Sequence, residues 1–374
     1  MKLRREFFPD PVIIDSIDVL KIGKRYFIQS RAKNGATGIA PGNQRTHYLL
    51  PLLVELIIPY FIGKDARQLD YLVDDIVRYK SVYKYAGIAL WNCVGEVEFS
   101  LLDLLGKMAN RTVGELFGPV IRKEIPIYLS SMRRDTTAAE EVAWLGERLA
   151  ETQSKAVKFK IGGRMSDNAD AFPERTNTLI PLARKSFGDD IKIYVDANGS
   201  YTADEAIRIG AMLEYYRVGW LEEPCPFWDY EQTRQVASAL SMIVAGGEQD
   251  TSLTQWQWMA DHQVVDLFQP DMLYNGGLTR ALRVADIGEK SGRLVCPHSP
   301  NMDAVQVYLL QFASIVPNLG FFQEYKAEPL PFESWYQPHF TVRDGKVFVP
   351  DGPGLGMTYD SDFLKKAVII RGEG

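Results

Sequence analysis

Three short acidic strings recur at equal intervals through the second half of the chain: Asp196 in VDANG, Glu222 in LEEP and Glu248 in AGGEQD. Each follows a short apolar run, at 193–195, 219–221 and 243–247, so each carboxylate stands where a buried strand would end. Asp196 to Glu222 is 26 residues, and Glu222 to Glu248 is again 26. That interval holds one strand, one loop and one helix, the repeat of a parallel α/β barrel, whose function sits at the carboxyl ends of the strands. One such acid would be an ordinary helix cap, as Asp196 ahead of Asn198-Gly199 could be. Three at matching positions instead make an all-oxygen cage for a hard divalent cation, and the lack of His or Cys among them favours Mg2+ over Zn2+.

The chain has 374 residues, 46% apolar and 24% charged, enough for a large core and more than one average domain. Cys93, Cys225 and Cys296 are odd in number and lack paired metal spacing, which argues against a disulfide framework and makes Cys225 a small buried filler. A net charge of −6 without a basic stripe gives no support to a nucleic-acid partner. No apolar run reaches the ~18 residues of a membrane span, and MKLRREFFPD lacks an apolar signal region, so a soluble, cytoplasmic protein is expected. An acidic protein that binds an anion needs local positive charge, which a cation and a few lysines supply.

Residues 12–39 alternate in polarity and turn at Gly23-Lys24 and Asn34-Gly35, predicting a three-stranded antiparallel meander. Helical periodicity follows over 49–62, 66–80 and 90–109. Strands followed by helices indicate an α+β domain over 1–120. Strict alternation then begins, with strands expected at 125–129, 156–160, 192–196, 219–222, 243–246, 265–269, 294–297 and 320–324. These predict a (β/α)8 TIM-type barrel over 121–335. Capping boxes at Thr137–Glu140 and Thr202–Glu205 mark helix starts. A C-terminal segment, 336–374, is expected to pack back on the first domain, with a hairpin at 340–349 turning at Asp344-Gly345 and a glycine-rich DGPGLG string.

Other strand-end residues carry candidate chemistry. In KFKIGG, Lys158 and Lys160 share one face of a strand and are expected to turn into the barrel mouth; an inward Phe159 would turn both outward. Two ammonium groups beside a cation repel, so one amine can lose its proton near neutral pH and act as a base. Asp271 in FQPD and His298 in CPHS end the sixth and seventh strands, and an Asp beside a His fixes its tautomer and raises its basicity. Glu324 in FFQEY ends the eighth strand, where a protonated carboxyl could donate to developing negative charge, unless it is a structural acid paired with Lys326 or Arg343. The glycine-rich loop 31–47 carries Arg31, Lys33, Arg45 and His47 and is expected to close over a substrate.

In order, the KxK string, DANG, EEP, GE, PD followed by NGG, PHS, a last strand-end Glu and DGPGLG resemble the enolase superfamily, specifically its mandelate racemase/muconate lactonizing enzyme subgroup. The resemblance covers nearly the whole chain and implies an N-terminal capping domain over the barrel. It implies Mg2+ held by Asp196, Glu222 and Glu248, binding a substrate carboxylate and stabilising the enediolate left by removal of an α-proton. Lys160 would be the base on one face, with Lys158 lowering its pKa, and His298, oriented by Asp271, would act on the other. Glu324 would hydrogen-bond the carboxylate, and Asn198, Arg45 and His47 would border the substrate. The resemblance points to a sugar-acid dehydratase, with racemase, epimerase or cycloisomerase chemistry, or a barrel kept without catalysis, as alternatives. Relatives also imply a homo-oligomer. Two departures bear on loop shape and substrate: the Lys160–Asp196 interval of 36 residues is longer than usual, and Asn92 stands where Asp is commoner.

Overall fold

The computed structural model describes residues 1–329 and 332–372. The meander forms as β1 (Ile14–Ile22), β2 (Arg25–Ala32) and β3 (Thr37–Pro41). At its second turn Asn34 accepts a hydrogen bond from the Ala36 N–H at 3.1 Å and Gly35 takes φ 87°. A fourth strand comes from the far end of the chain, since β15 (Val368–Ile370) pairs antiparallel with β1.

The region 49–62 is not one helix. It divides into α1 (Thr46–Leu52), a π-turn (Leu53–Ile57) and α2 (Ile58–Phe61). Pro51 and Pro59 each lack the N–H an α-helix needs, and the wider turn lies between them. The region 66–80 also breaks up, into α3 (Leu69–Asp75) with a 3-10 turn on either side. By contrast α4 (Ile88–Ala109) is continuous and buried on nearly every side. Gly38 lets β3 reach it, because a Cβ there would lie 2.1 Å from the Ser100 carbonyl. Three buried acids of α4 then tie the molecule together. Glu96 accepts from Thr46 at 2.6 Å, Glu98 from the Thr279 N–H at 3.1 Å, and Asp103 from the Ile39 and Leu355 N–H groups at 2.8 Å.

The barrel strands are β4 (Glu124–Ser130), β5 (Ala156–Lys160), β6 (Lys192–Asp196), β7 (Trp220–Glu222), β8 (Ile243–Gly246), β9 (Leu267–Phe268), β10 (Leu294–Val295) and β11 (Gln323–Lys326). They pair in parallel in the order β10-β9-β8-β7-β6-β5-β4-β11. The ring closes where Val295 meets the segment before β11, donating to Asn318 O at 2.9 Å and accepting from Gly320 N at 2.8 Å. Helices α5 (Ala138–Thr152), α6 (Arg175–Phe187), α7 (Ala203–Tyr215), α8 (Tyr230–Ala239), α9 (Leu253–Asp261), α10 (Leu278–Lys290) and α11 (Val307–Ile315) lie between successive strands, and the eighth strand runs on into the C-terminal segment. No helix among the described residues is long and apolar enough to cross a membrane.

The capping box at Thr137 forms, with Glu140 returning to the Thr137 N–H at 2.8 Å. The one expected at Thr202 does not, because Asn168 accepts from the Thr202 N–H at 2.8 Å while Glu205 turns to Arg208. The turn at Asp344-Gly345 appears as expected, but its second arm, β13 (Lys346–Phe348), pairs with β4.

Candidate active site

Alternation along the strands builds the site. One step below the strand ends, Tyr128, Ala156, Tyr194, Trp220, Ala245, Leu267 and Cys296 fill the barrel as an apolar floor, with Tyr194 stacked on Trp220. Two residues further along, the same inward face presents Ser130, Lys158, Asp196, Glu222, Gln269 and His298, all buried. The floor keeps water from below, so charges in this layer act through a low dielectric. Phe159 points outward and stacks parallel to Phe187 of α6, which fixes the register that sends both lysines inward.

Lys160 pairs in register with Asp196, and Asp196 with Glu222. Glu248 lies two residues beyond β8, brought back by Gly247 at φ 111°, where a Cβ would lie 2.1 Å from the Trp256 ring. Asp196, Glu222 and Glu248 each offer an oxygen within 4.8 Å of the others. Buried like charges this close demand a countercharge, and the Glu248 Oε2 is buried without a hydrogen bond. An all-carboxylate donor set, with one oxygen that accepts no hydrogen bond and meets His298 only at an ion-pair distance of 3.3 Å, fits a hard divalent cation.

The lysines divide their work. Lys158 Nζ lies 2.8 Å from both Glu222 oxygens and 2.9 Å from Glu324 Oε1. Burial opposes its charge, but Glu222, Glu324 and Asp196 outweigh burial and hold the ammonium protonated well above the ordinary lysine range. Lys160 bonds Asp196 Oδ2, while Asp196 Oδ1 accepts from the Asn198 N–H at 2.8 Å. Arg175 fixes the strand end below Lys160 by donating to its carbonyl at 2.8 Å.

On the other side of the acidic trio, His298 Nδ1 lies 2.9 Å from Asp271 Oδ2, and Nε2 lies 3.3 Å from Glu248 Oε2. Asp271 is itself fixed, its Oδ1 accepting from the Leu273 and Tyr274 N–H groups at 2.8 and 2.9 Å. Burial disfavours the imidazolium, yet Glu248, the bond to Asp271 and Glu324 raise its pKa to about 10.

Glu324 differs from the reading of a protonated donor. Its oxygens accept from Ser130 Oγ and the Ser299 N–H, each at 2.7 Å. Although burial favours the neutral acid, Lys158 and His298 pull its pKa down to about 2, so Glu324 is an ionised acceptor. It pairs with neither Lys326 nor Arg343. Two neighbouring acids are pushed towards neutrality: Glu222, which burial raises to about 7, and Glu223, raised through burial and the charges of Glu248, Asp196 and Glu222. For Glu223, one oxygen is left free: its Oε1 is buried without a partner while Oε2 accepts from Asn198 at 3.3 Å. The acid doublet in LEEP was the only signal of Glu223 in the sequence. Arg134, which donates to Asn198 Oδ1 at 2.6 Å, carried no pattern at all, and Gln269, which donates to Glu222 at 2.8 Å, was marked only as the end of the strand leading into FQPD.

Above these groups a cavity of ≈ 510 Å³ is lined by Lys160, Glu248, Asp271 and His298 and roofed by loops that include Asn43, Gln44 and Arg45. Asn198 and Glu223 line it too. Arg45 packs over the Tyr274 ring at 4.6 Å. His47 is displaced from its expected place: its ring bonds the Tyr26 hydroxyl at 2.9 Å, and Tyr26 forms the wall instead. Arg31 and Lys33 belong to β2 and its turn, away from the lining.

Residues 140–363 match the family model described as Enolase C-terminal domain-like. A provisionally named racemase from Roseobacter denitrificans is 32% identical, covers 96% of this chain and 99% of its own, and superposes with a TM-score of 0.91. A mandelate racemase/muconate lactonizing protein from Paracoccus denitrificans, complexed with magnesium, shares the fold at 23% identity over 96% of this chain and 99% of its own, with a TM-score of 0.86. D-xylonate dehydratase of Haloferax volcanii is 24% identical over 331 residues, 86% of this chain and 80% of that protein.

Proposed function

Because the chain belongs to the enolase C-terminal domain-like family, we propose that it removes the α-proton of a sugar acid and eliminates the β-hydroxyl, giving a 2-keto-3-deoxy acid. The observation that carries this reading is the placement of two proton-transfer groups at the two ends of one carboxylate trio. Lys160 contacts Asp196 at one end, and His298 lies 3.3 Å from Glu248 at the other.

Asp196, Glu222 and Glu248 would hold Mg2+, which supplies positive charge for the substrate carboxylate and for the enediolate formed from it. Lys160 takes the proton from C2, leaving the electron pair in the enediolate. His298, charged and held by Asp271, gives its proton to the departing C3 hydroxyl as the carbon–oxygen bond breaks, releasing water. The resulting enol gains a proton at C3 and releases to solvent the proton of its C2 hydroxyl, becoming the 2-keto acid. Lys158 remains charged throughout and balances Glu222 and Glu324, a positioning role. Asn198, held by Arg134 and Glu223, lies on the cavity wall and is placed to bind substrate oxygen.

A second reading, racemisation or epimerisation, is favoured by the 32% identical structure named a racemase. The same two groups would then exchange roles and return the proton on the opposite face.

Incubation in deuterium oxide with Mg2+ and a panel of sugar acids tests both. A 2-keto product supports elimination, and a deuterated epimer supports the isomerase. Lys160→Met should abolish C2 exchange while the protein still binds Mg2+ by calorimetry. Exchange that persists in this variant removes Lys160 from its assigned role.

A further inference from the structure

The cavity roof carries more positive charge than a single carboxylate uses. Lys24 in the β1–β2 turn, Arg45 before α1, Arg164 in the loop after β5, and Arg25 and Lys326 all line it. Arg25 is neutralised by Glu333, and Lys326 faces Asp303, which also lines the cavity. That leaves Lys24, Arg45 and Arg164, none of which makes an ion pair among the described residues. Apart from Asp303, which sits with Arg25 and Lys326, the acids of the cavity are Glu223, Glu248 and Asp271, at the metal end beside Lys160 and His298. The site is therefore polarised, with carboxylates at the floor and uncompensated cations at the roof, in a protein of net charge −6.

One of these cations is held in place by its own side chain, and a second sits on a loop whose backbone is anchored. Arg45 is stacked on Tyr274, whose ring centre lies 5.9 Å from that of His298, so its guanidinium is tied to the wall that bears the imidazole. Its loop is anchored from behind by the Asn43 amide donating to Asn92 at 2.7 Å and by Thr46 donating to Glu96 at 2.6 Å. Arg164 enters from the opposite loop, within the long interval between Lys160 and Asp196, and the Met165 N–H beside it bonds the Asn198 carbonyl at 3.1 Å. A chain bound by one carboxylate at the floor extends towards this roof, where a terminal hydroxyl would leave the guanidinium groups without a charged partner.

We propose that the substrate carries a second anionic group at the end remote from the reacting carboxylate, received by Arg45 and Arg164 with Lys24 at the rim. The inference rests on the sugar-acid reading above and names the class within it. The shared chemistry is a terminal oxyanion, either a carboxylate, as in an aldaric acid, or a phosphate.

Binding is measured by calorimetry on the full chain with Mg2+, using matched sets: gluconate, glucarate and 6-phosphogluconate, then galactonate with galactarate and mannonate with mannarate. In at least one set the doubly anionic acid should bind at least ~10-fold tighter than its aldonate at fixed ionic strength. Whether glucarate or 6-phosphogluconate gains more identifies the source of the oxyanion. Arg45→Gln and Arg164→Gln, both at exposed positions, should each erase most of that preference while leaving Mg2+ binding in place. Equal binding of aldonates and their doubly charged partners, or a preference untouched by both variants, overturns the inference and leaves the dehydratase reading standing. Binding of no acid of either class defeats both.

Discussion

Burying Glu96 to anchor the cavity roof has a stability consequence that can be measured. Its Oε1 accepts from Thr46 at 2.6 Å, Asn92 at 3.0 Å and the Asn43 N–H at 3.4 Å, while Oε2 is buried with no partner. Burial outweighs these bonds and raises the carboxyl from its ordinary 4.5 to about 7. Below the unfolded value both states hold the proton. As pH rises from there, the unfolded chain ionises first, so stability falls by about 1.4 kcal/mol per pH unit until the native group also ionises, a total of ~3 kcal/mol. Glu96→Gln keeps the shape and removes the proton, and therefore removes this slope, though Glu98, also raised to about 7, retains its own. Urea unfolding of wild type and variant, followed by tryptophan fluorescence, should show wild type losing about 2 kcal/mol more than the variant between pH 5.5 and 8.5. Parallel pH dependences would refute the reasoning, because they would mean Glu96 is already ionised when folded.

Two further outcomes follow from the floor of the site. In Asp271→Asn, the oxygen kept by the Leu273 and Tyr274 N–H groups leaves an amide NH2 facing His298 Nδ1 and forces the ring proton onto Nε2. Turnover should fall by ~100-fold or more with Mg2+ binding intact, and nitrogen NMR should show Nδ1 unprotonated; a ring still protonated at Nδ1 with turnover within about twofold would contradict the dyad. Gly247→Ala forces a Cβ into Trp256 at a backbone φ of 111°. It should cost more than ~2 kcal/mol of stability and weaken Mg2+ binding through Glu248, and unchanged values of both would show that the turn does not place that ligand.

Local periodicity carried much of this protein in its sequence. Side chains on a strand alternate faces, so KFK, DANG and LEEP set Lys158, Lys160, Asp196 and Glu222 on one inward surface once the strands were recognised, and equal spacing marked Glu248 as the third acid, although the turn at Gly247 is what returns it to the level of the other two. The pairing of Asp271 with His298 followed likewise, because both end neighbouring strands. What the sequence could not express are quantities summed over residues far apart in the chain. The ionised state of Glu324 depends on Lys158 and His298, and the drift of Glu223 towards neutrality depends on Glu248 and Asp196. Loop paths are equally non-local: Tyr26 rather than His47 walls the cavity, and Asn168 takes the cap expected of Glu205. The uncompensated charge of the roof emerges only when the loops bearing Lys24, Arg45 and Arg164, three distant segments, meet over the barrel, since electrostatic free energy depends on distance in space and on burial, and neither is written in the order of residues.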